Sequence, residues 1–146
     1  MGADRFAEAE RAYRRACDLA PRRGNTSSAL AMALLAQGRG AEALTEAMRE
    51  PDDAWREWAL AIVHHAAGRR VESDEALREL VAKGNDYAYR IAEVHATRGD
   101  ADAAFQWLER ALSLRDNGLT ETKVDFLLRS LHGDPRWGVL LGKIGF

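Results

Sequence analysis

The sequence predicts an all-α chain in which antiparallel helix pairs stack into a solenoid. A glycine-led segment recurs at Gly38, Gly68 and Gly99, with intervals of 30 residues (38 to 68) and 31 residues (68 to 99). Apolar residues recur at helical spacing on both sides of each glycine, and no segment alternates with period two. Because one helix pair cannot bury its apolar face alone, the recurrence predicts stacked copies with a continuous core.

Each copy of the repeat places the same residue types around its glycine. A bulky aliphatic residue stands eight positions before the glycine, alanine follows it, and a small residue stands five positions after the glycine. In that order these residues are Leu30, Leu60 and Ile91, then Ala31, Ala61 and Ala92, then Ala43, Ser73 and Ala104. Glycine ends the first helix because it adopts left-handed backbone cheaply, and the small residues let the helices approach closely.

Start and stop signals divide the chain into nine predicted helices. Pro51 followed by Asp52 and Asp53 suits a helix N-terminus, as does the pair Asp134-Pro135. The helices are expected at about 4–20, 25–37, 40–50, 52–67, 70–83, 86–98, 101–115, 120–131 and 135–145.

These helices group into one predicted domain over residues 1–146, a length that can bury its own core. A half repeat at 1–21 precedes three repeats at 24–51, 54–84 and 85–116. The repeat pattern stops near Asn117, and segment 117–146 carries apolar residues at helical spacing. Since a solenoid needs a cover for its last face, this segment is predicted to be a capping helix pair.

Composition excludes several classes of function. Hydrophobic residues make up 47% and charged residues 30% of the chain, and the net charge is −2 with both signs interspersed. No nucleic-acid or membrane partner is therefore expected. Cys17 is the only cysteine, and the first twenty residues lack the apolar core of a signal peptide. Both features predict a reducing, cytoplasmic location.

A family resemblance rests on the segment RFAEAERAYRRACDLAP at residues 5–21. Ala9, Tyr13, Ala16 and Pro21 have the spacing of the second helix of a tetratricopeptide repeat, and the Leu-Ala pairs resemble the Leu-Gly pair of its first helix. The copies are shorter than the family's repeat of about 34 residues. The positions of the family's tryptophan hold other residues, namely Ser27, Glu57 and Ala88.

The resemblance implies a right-handed α-solenoid of about three and a half tetratricopeptide repeats. The stretch AYRIAEVHATRGDADAAFQWLERALSLRD at residues 88–116 and the segment DPRW at 134–137 resemble the C-terminal tetratricopeptide region of bacterial signalling proteins. This resemblance implies an intracellular regulatory setting. In this family the first helix of each pair lines a concave surface that holds another protein. The implied function is a scaffold that binds a peptide or helix in that groove.

The register of the glycines names the residues expected on the concave face. They are Asn25, Ser28, Met32, Trp55, Trp58, Ile62, His65, Tyr89, Arg90 and Glu93. Trp55, Trp58, Ile62 and Tyr89 form the expected contact strip, because aromatic side chains commonly anchor interfaces. The alternative is that the two tryptophans pack against preceding helices or against a second copy of the chain.

A second functional hypothesis is self-association as a regulatory or structural module. The first helix has the pattern of the second half of a repeat whose first half is missing. The helix face that carries Phe6 and Tyr13 is therefore a candidate dimer edge, and a homodimer would cover it.

No residue pattern predicts an enzyme, a cofactor or a metal site. His64 and His95 occupy equivalent positions four residues before Gly68 and Gly99, but no third ligand has suitable spacing. Packed histidines are the favoured interpretation. Cys17 has no histidine in its segment, so a packing role is favoured over a nucleophile.

Overall fold

The computed structural model describes residues 2–146, with side chains from Asp4 onward. The described backbone is helical and contains no strand, which confirms the all-α class. The α-helices are α1 Gly2–Leu19, α2 Thr26–Ala36, α3 Gly40–Arg49, α4 Asp53–Ala66, α5 Arg70–Ala82, α6 Ala88–Thr97, α7 Ala101–Ser113 and α8 Pro135–Ile144. Shorter 3-10 segments span Asn85–Tyr87, Asn117–Glu121 and Phe126–Leu131. Among these described helices, none has the length and apolarity that crossing a membrane requires.

The chain divides into two compact units. The N-terminal unit comprises Met1–Glu79 and the C-terminal unit comprises Leu80–Phe146, so helix α5 begins in the first and ends in the second.

The three predicted glycine turns are confirmed. Gly38, Gly68 and Gly99 have φ angles of 77°, 77° and 76°. After each glycine, the next backbone N–H donates to the carbonyl five residues earlier, at N···O distances of 3.0, 2.8 and 3.0 Å. This bond defines a Schellman motif, in which left-handed backbone satisfies the last carbonyls of a helix. The helix that precedes each glycine therefore ends by the same device.

Small residues bring the helices of the N-terminal unit close together. Helix α2 packs against α1, α3 and α4. Ala31, Ala43 and Ala47 are completely buried beside Leu30 and Leu34. The hydroxyl of Ser73 in α5 donates to the carbonyl of Ala61 in α4 at 2.6 Å, so this small residue lies directly against helix backbone. The repeated small position thus has a packing role.

The C-terminal unit combines the α6–α7 pair with the closing segment. Its core contains Tyr89 and Leu108 from the helix pair, together with Leu128, Trp137 and Leu140 from the closing segment. Helix α6 packs against the 3-10 segment Phe126–Leu131. The apolar residues after Asn117 therefore complete the core of this unit.

One predicted helix is wrong. The helix expected at about 120–131 is two 3-10 segments, Asn117–Glu121 and Phe126–Leu131. Asp116 accepts a hydrogen bond from the N–H of Gly118 at 2.8 Å, and Asp125 accepts one from Leu127 at 2.9 Å. Because these short side chains bind nearby backbone, they start separate turns in place of one continuous helix.

A carboxylate closes each of two helix pairs. Glu50, directly after α3, is 1% exposed and accepts hydrogen bonds from the N–H groups of Asn25, Ser28 and Asp52 at 3.0 to 3.1 Å. Asp116, shortly after α7, accepts from Tyr89 at 3.1 Å and from Gly118 at 2.8 Å. In both pairs a carboxylate that follows the second helix therefore satisfies N–H groups at the start of the first.

Candidate protein-binding surface

The residues predicted for the concave face differ widely in exposure. Within the N-terminal unit, Asn25 and His65 are exposed and Trp55 is half-buried. The remaining members in that unit are buried, namely Ser28, Met32, Trp58 and Ile62. In the C-terminal unit, Tyr89 and Glu93 are buried and Arg90 is half-buried. Of the four residues of the expected contact strip, Trp55 is therefore the one that is not buried.

Trp55 is held at the start of α4. Its backbone N–H donates to the Oδ1 atom of Asp52, the N-cap residue, at 3.0 Å. The ring of Trp55 meets that of Trp58 edge to face, with centroids 5.4 Å apart and an interplanar angle of 85°. This geometry is favourable for aromatic pairs. The buried Trp58 ring therefore supports a neighbouring indole that retains exposed surface.

The predicted residues of the C-terminal unit form a hydrogen-bonded network. Arg90 donates to Glu93 Oε1 at 2.9 Å and to Glu121 Oε1 at 2.9 Å. The hydroxyl of Tyr89 donates to Asp125 Oδ2 at 2.7 Å. The polar groups of Tyr89, Arg90 and Glu93 are thus engaged within the unit.

Burial sets the ionisation of this network. It raises the pKa of the Glu93 carboxyl well above its usual value, and the neighbouring Asp125 adds to the effect while Arg90 opposes it. Burial also raises the pKa of the Tyr89 hydroxyl, as do the charges of Asp125 and Glu93. A buried carboxyl next to another carboxyl favours its neutral form. Glu93 therefore holds its proton to a higher pH than an exposed glutamate would.

The same network contains a cluster of three acids. Oxygen atoms of Glu93, Glu121 and Asp125 lie within 4.8 Å of one another. Arg90 donates to two of these residues, and Tyr89 donates to the third. The arrangement is an ion-pair network satisfied by side chains of the unit itself. Sequence reasoning missed Asp125, although an aspartate directly before the apolar run FLLRSL is a typical capping signal.

The two equivalent histidines are partly buried. The His95 side chain is 17% exposed, and its Nδ1 atom lies 4.0 Å from Asp100 Oδ2. Burial lowers the pKa of both His64 and His95, although nearby acids oppose the shift. Neutral, packed imidazoles are consistent with these surroundings.

The candidate dimer edge lies on α1, which a polar network joins to the turn between α2 and α3. Glu10 accepts hydrogen bonds from Arg14 at 2.9 Å, from Gln37 at 3.1 Å and from Arg39 at 2.6 Å. Sequence reasoning missed this cluster, because its members are distant along the chain. Phe6 is half-buried, whereas Tyr13 is 36% exposed. Tyr13 is therefore the more accessible residue of the candidate edge.

These donors keep Glu10 ionised. They lower the pKa of its carboxyl to about 2, with Arg14 contributing most, and burial opposes the shift. A carboxylate with several charged or amide donors favours its charged form strongly.

No protein-family model, no curated protein and no solved structure matches the chain.

Proposed function

We propose that this chain is a tetratricopeptide-like scaffold, a right-handed α-solenoid that binds a peptide or helix of a partner protein. The three glycine turns support a true structural repeat, since they share φ angles within one degree and the same terminating hydrogen bond. Repeated helix pairs of this kind serve widely as binding surfaces because they stack into extended faces.

The proposal rests on the exposed part of the Trp55 indole, which the neighbouring residues hold in place. Its indole is half-buried, rests edge-on against the buried Trp58, and follows a capped helix start. A tryptophan held in one orientation loses little conformational entropy on binding and offers a large apolar area. An apolar side chain of a partner helix or extended peptide would pack against its exposed face.

Selection of peptides from a displayed library against the full chain tests the proposal. Affinities of the enriched peptides are then measured by fluorescence anisotropy for the wild-type chain and for Trp55→Ala. Loss of the Trp55 ring is expected to weaken binding about thirtyfold, which corresponds to about 2 kcal/mol for an interface hot spot.

Trp107→Ala is the matched control. Trp107 is also half-buried, but it lies in α7 of the C-terminal unit. Circular dichroism verifies that both variants remain helical. Enrichment of no peptide, or equal affinity for the wild type and Trp55→Ala, would show that Trp55 is not a binding anchor.

The exposure of Tyr13 favours a second candidate function, self-association within a larger bacterial signalling protein. Tyr13 retains 36% of its surface on α1. A second copy that packs there would bury an aromatic ring. Light scattering after gel filtration distinguishes the cases: Tyr13→Glu should convert a dimer to a monomer, and a wild-type monomer at micromolar concentration removes this candidate.

A further inference from the structure

A groove in the C-terminal unit shares no residue with the proposed Trp55 surface. Its volume is about 450 Å³, and Leu112, Leu119, Ile144 and Phe146 form its apolar wall. Phe146 remains 52% exposed, whereas Leu119 is only 7% exposed. The volume falls within the range of small-molecule sites, which are mostly apolar with a few polar groups.

Arg115 is the cationic residue that lines this groove. Two charged residues line it, Arg115 and Asp116. Both carboxylate oxygens of Asp116 already accept backbone N–H groups, from Tyr89 and from Gly118. The exposed Arg115 side chain forms no hydrogen bond or ion pair with any part of the chain that the structure describes. A cation therefore remains available beside an apolar wall.

The backbone of Arg115 is unusual for a residue with a side chain. Its φ angle is 55°, and the N–H of Asp116 donates to the carbonyl of Ala111 at 2.9 Å. This is the hydrogen bond of the three glycine turns, so Arg115 occupies the position that Gly38, Gly68 and Gly99 hold elsewhere. Glycine would remove the strain of left-handed backbone. A strained residue in such a position points to a role for its side chain.

We propose that this groove binds an amphiphilic carboxylate. The aliphatic chain of the ligand packs against Leu112, Ile144 and Phe146, and its carboxylate accepts hydrogen bonds from the Arg115 guanidinium. The planar guanidinium matches a carboxylate geometrically, and such charge-assisted bonds are strong. Asn117 also lines the groove, and its side-chain amide can donate hydrogen bonds to a carboxylate.

Titration of the ¹⁵N-labelled full chain with octanoate, followed by two-dimensional NMR, tests the site. Saturable shifts are expected at the backbone amides of Asn117, Thr120 and Phe146, which line the groove. Octanol has the same apolar chain without the charge, and it should bind about tenfold more weakly or worse.

Arg115→Asn removes the cation but tolerates left-handed backbone. It should weaken octanoate binding about tenfold or more while the chain keeps its thermal midpoint. Arg129→Asn is the matched control, since Arg129 is an exposed arginine of the same unit that does not line the groove. This control should retain the wild-type affinity.

Three results would overturn the proposal. They are absence of saturable shifts at millimolar octanoate, equal affinity for octanoate and octanol, and equal affinity in the wild type and Arg115→Asn. If Arg115→Asn fails to fold, Arg115→Gly decides the question, because glycine suits the φ angle of 55° without a charge.

Discussion

Each compact unit contains a glutamate that accepts hydrogen bonds from arginine, yet the pKa values of the two carboxyl groups shift in opposite directions. In the N-terminal unit, hydrogen bonds led by Arg14 lower the pKa of Glu10 to about 2. In the C-terminal unit, burial raises the pKa of Glu93 well above its usual value, although Arg90 lies 2.9 Å away.

The difference shows that contact with arginine does not by itself set the charge of a carboxyl group. The Glu10 side chain is 13% exposed and receives donors from three side chains. Glu93 is 1% exposed and lies beside Asp125, so desolvation and like charge outweigh the arginine. The two units are therefore expected to respond differently to sequence changes and to pH.

The largest expected effect comes from Gly118→Ala in the C-terminal unit. A Cβ atom there would lie 2.5 Å from ring carbons of Tyr89, a side chain that is itself completely buried. Displacing this ring breaks its bond to Asp125 and should lower the free energy of unfolding by about 3 kcal/mol. Urea unfolding measures the change. Gly142→Ala in α8 is the control: its Cβ meets nothing within 4 Å, so stability should not fall.

Removal of the closing carboxylates should destabilise the N-terminal unit more than the C-terminal unit. Glu50→Ala leaves three N–H groups without their acceptor, among them that of the buried Ser28, at a cost of about 2–3 kcal/mol. Asp116→Ala leaves two such groups, and about 1–2 kcal/mol is expected. Residue-resolved hydrogen exchange locates each effect. A larger loss from Asp116→Ala would contradict this ranking.

Glu93→Gln should alter the pH dependence of the C-terminal unit. Because the folded-state pKa of Glu93 is raised, its contribution to stability is full below pH 4.5 and is lost as pH rises through the folded pKa. The free energy of unfolding of the variant, relative to that of the wild type, should therefore rise by about 1 kcal/mol between pH 4 and pH 8. Unfolding midpoints across this range measure the gain. Glu109→Gln, a change at an exposed residue, should show no such trend.

Glu10→Gln should show the opposite pH trend with the smallest amplitude. Since the folded-state pKa of Glu10 is lowered, its contribution is present above pH 4.5 and disappears as pH falls toward 2. The free energy of unfolding of the wild type should exceed that of the variant by about 0.5–1 kcal/mol at pH 7, and the two values should match near pH 2. Glu8→Gln, at an exposed position of the same helix, should leave stability unchanged at both pH values.

Much of the fold could be predicted because its signals act locally. Gly38, Gly68 and Gly99 end helices where expected, and helices begin at the predicted start signals, where Asp52 and Asp134 accept backbone N–H groups. The helix expected at about 120–131 was predicted wrongly. Its apolar spacing is compatible with one helix, whereas Asp116 and Asp125 bind local N–H groups and break it.

The candidate site was less predictable, since helical register does not reveal exposure. The helical register places both Trp55 and Trp58 on the expected concave face, yet Trp55 is half-buried and Trp58 is 5% exposed. Ile62, Tyr89 and Glu93 also lie in the interior. Which side of an amphipathic helix remains open depends on the elements that pack around it.

Helix order, the glycine turns and the all-α class follow from residues within a few positions of one another, because backbone preference and capping are short-range effects. The carboxylates of Glu50 and Asp116 accept N–H groups of residues more than 20 positions away. Gln37 and Asp125 likewise reach Glu10 and Glu93 from distant parts of the chain. Those contacts exist only after the chain has packed, since burial and the local dielectric are properties of the folded interior.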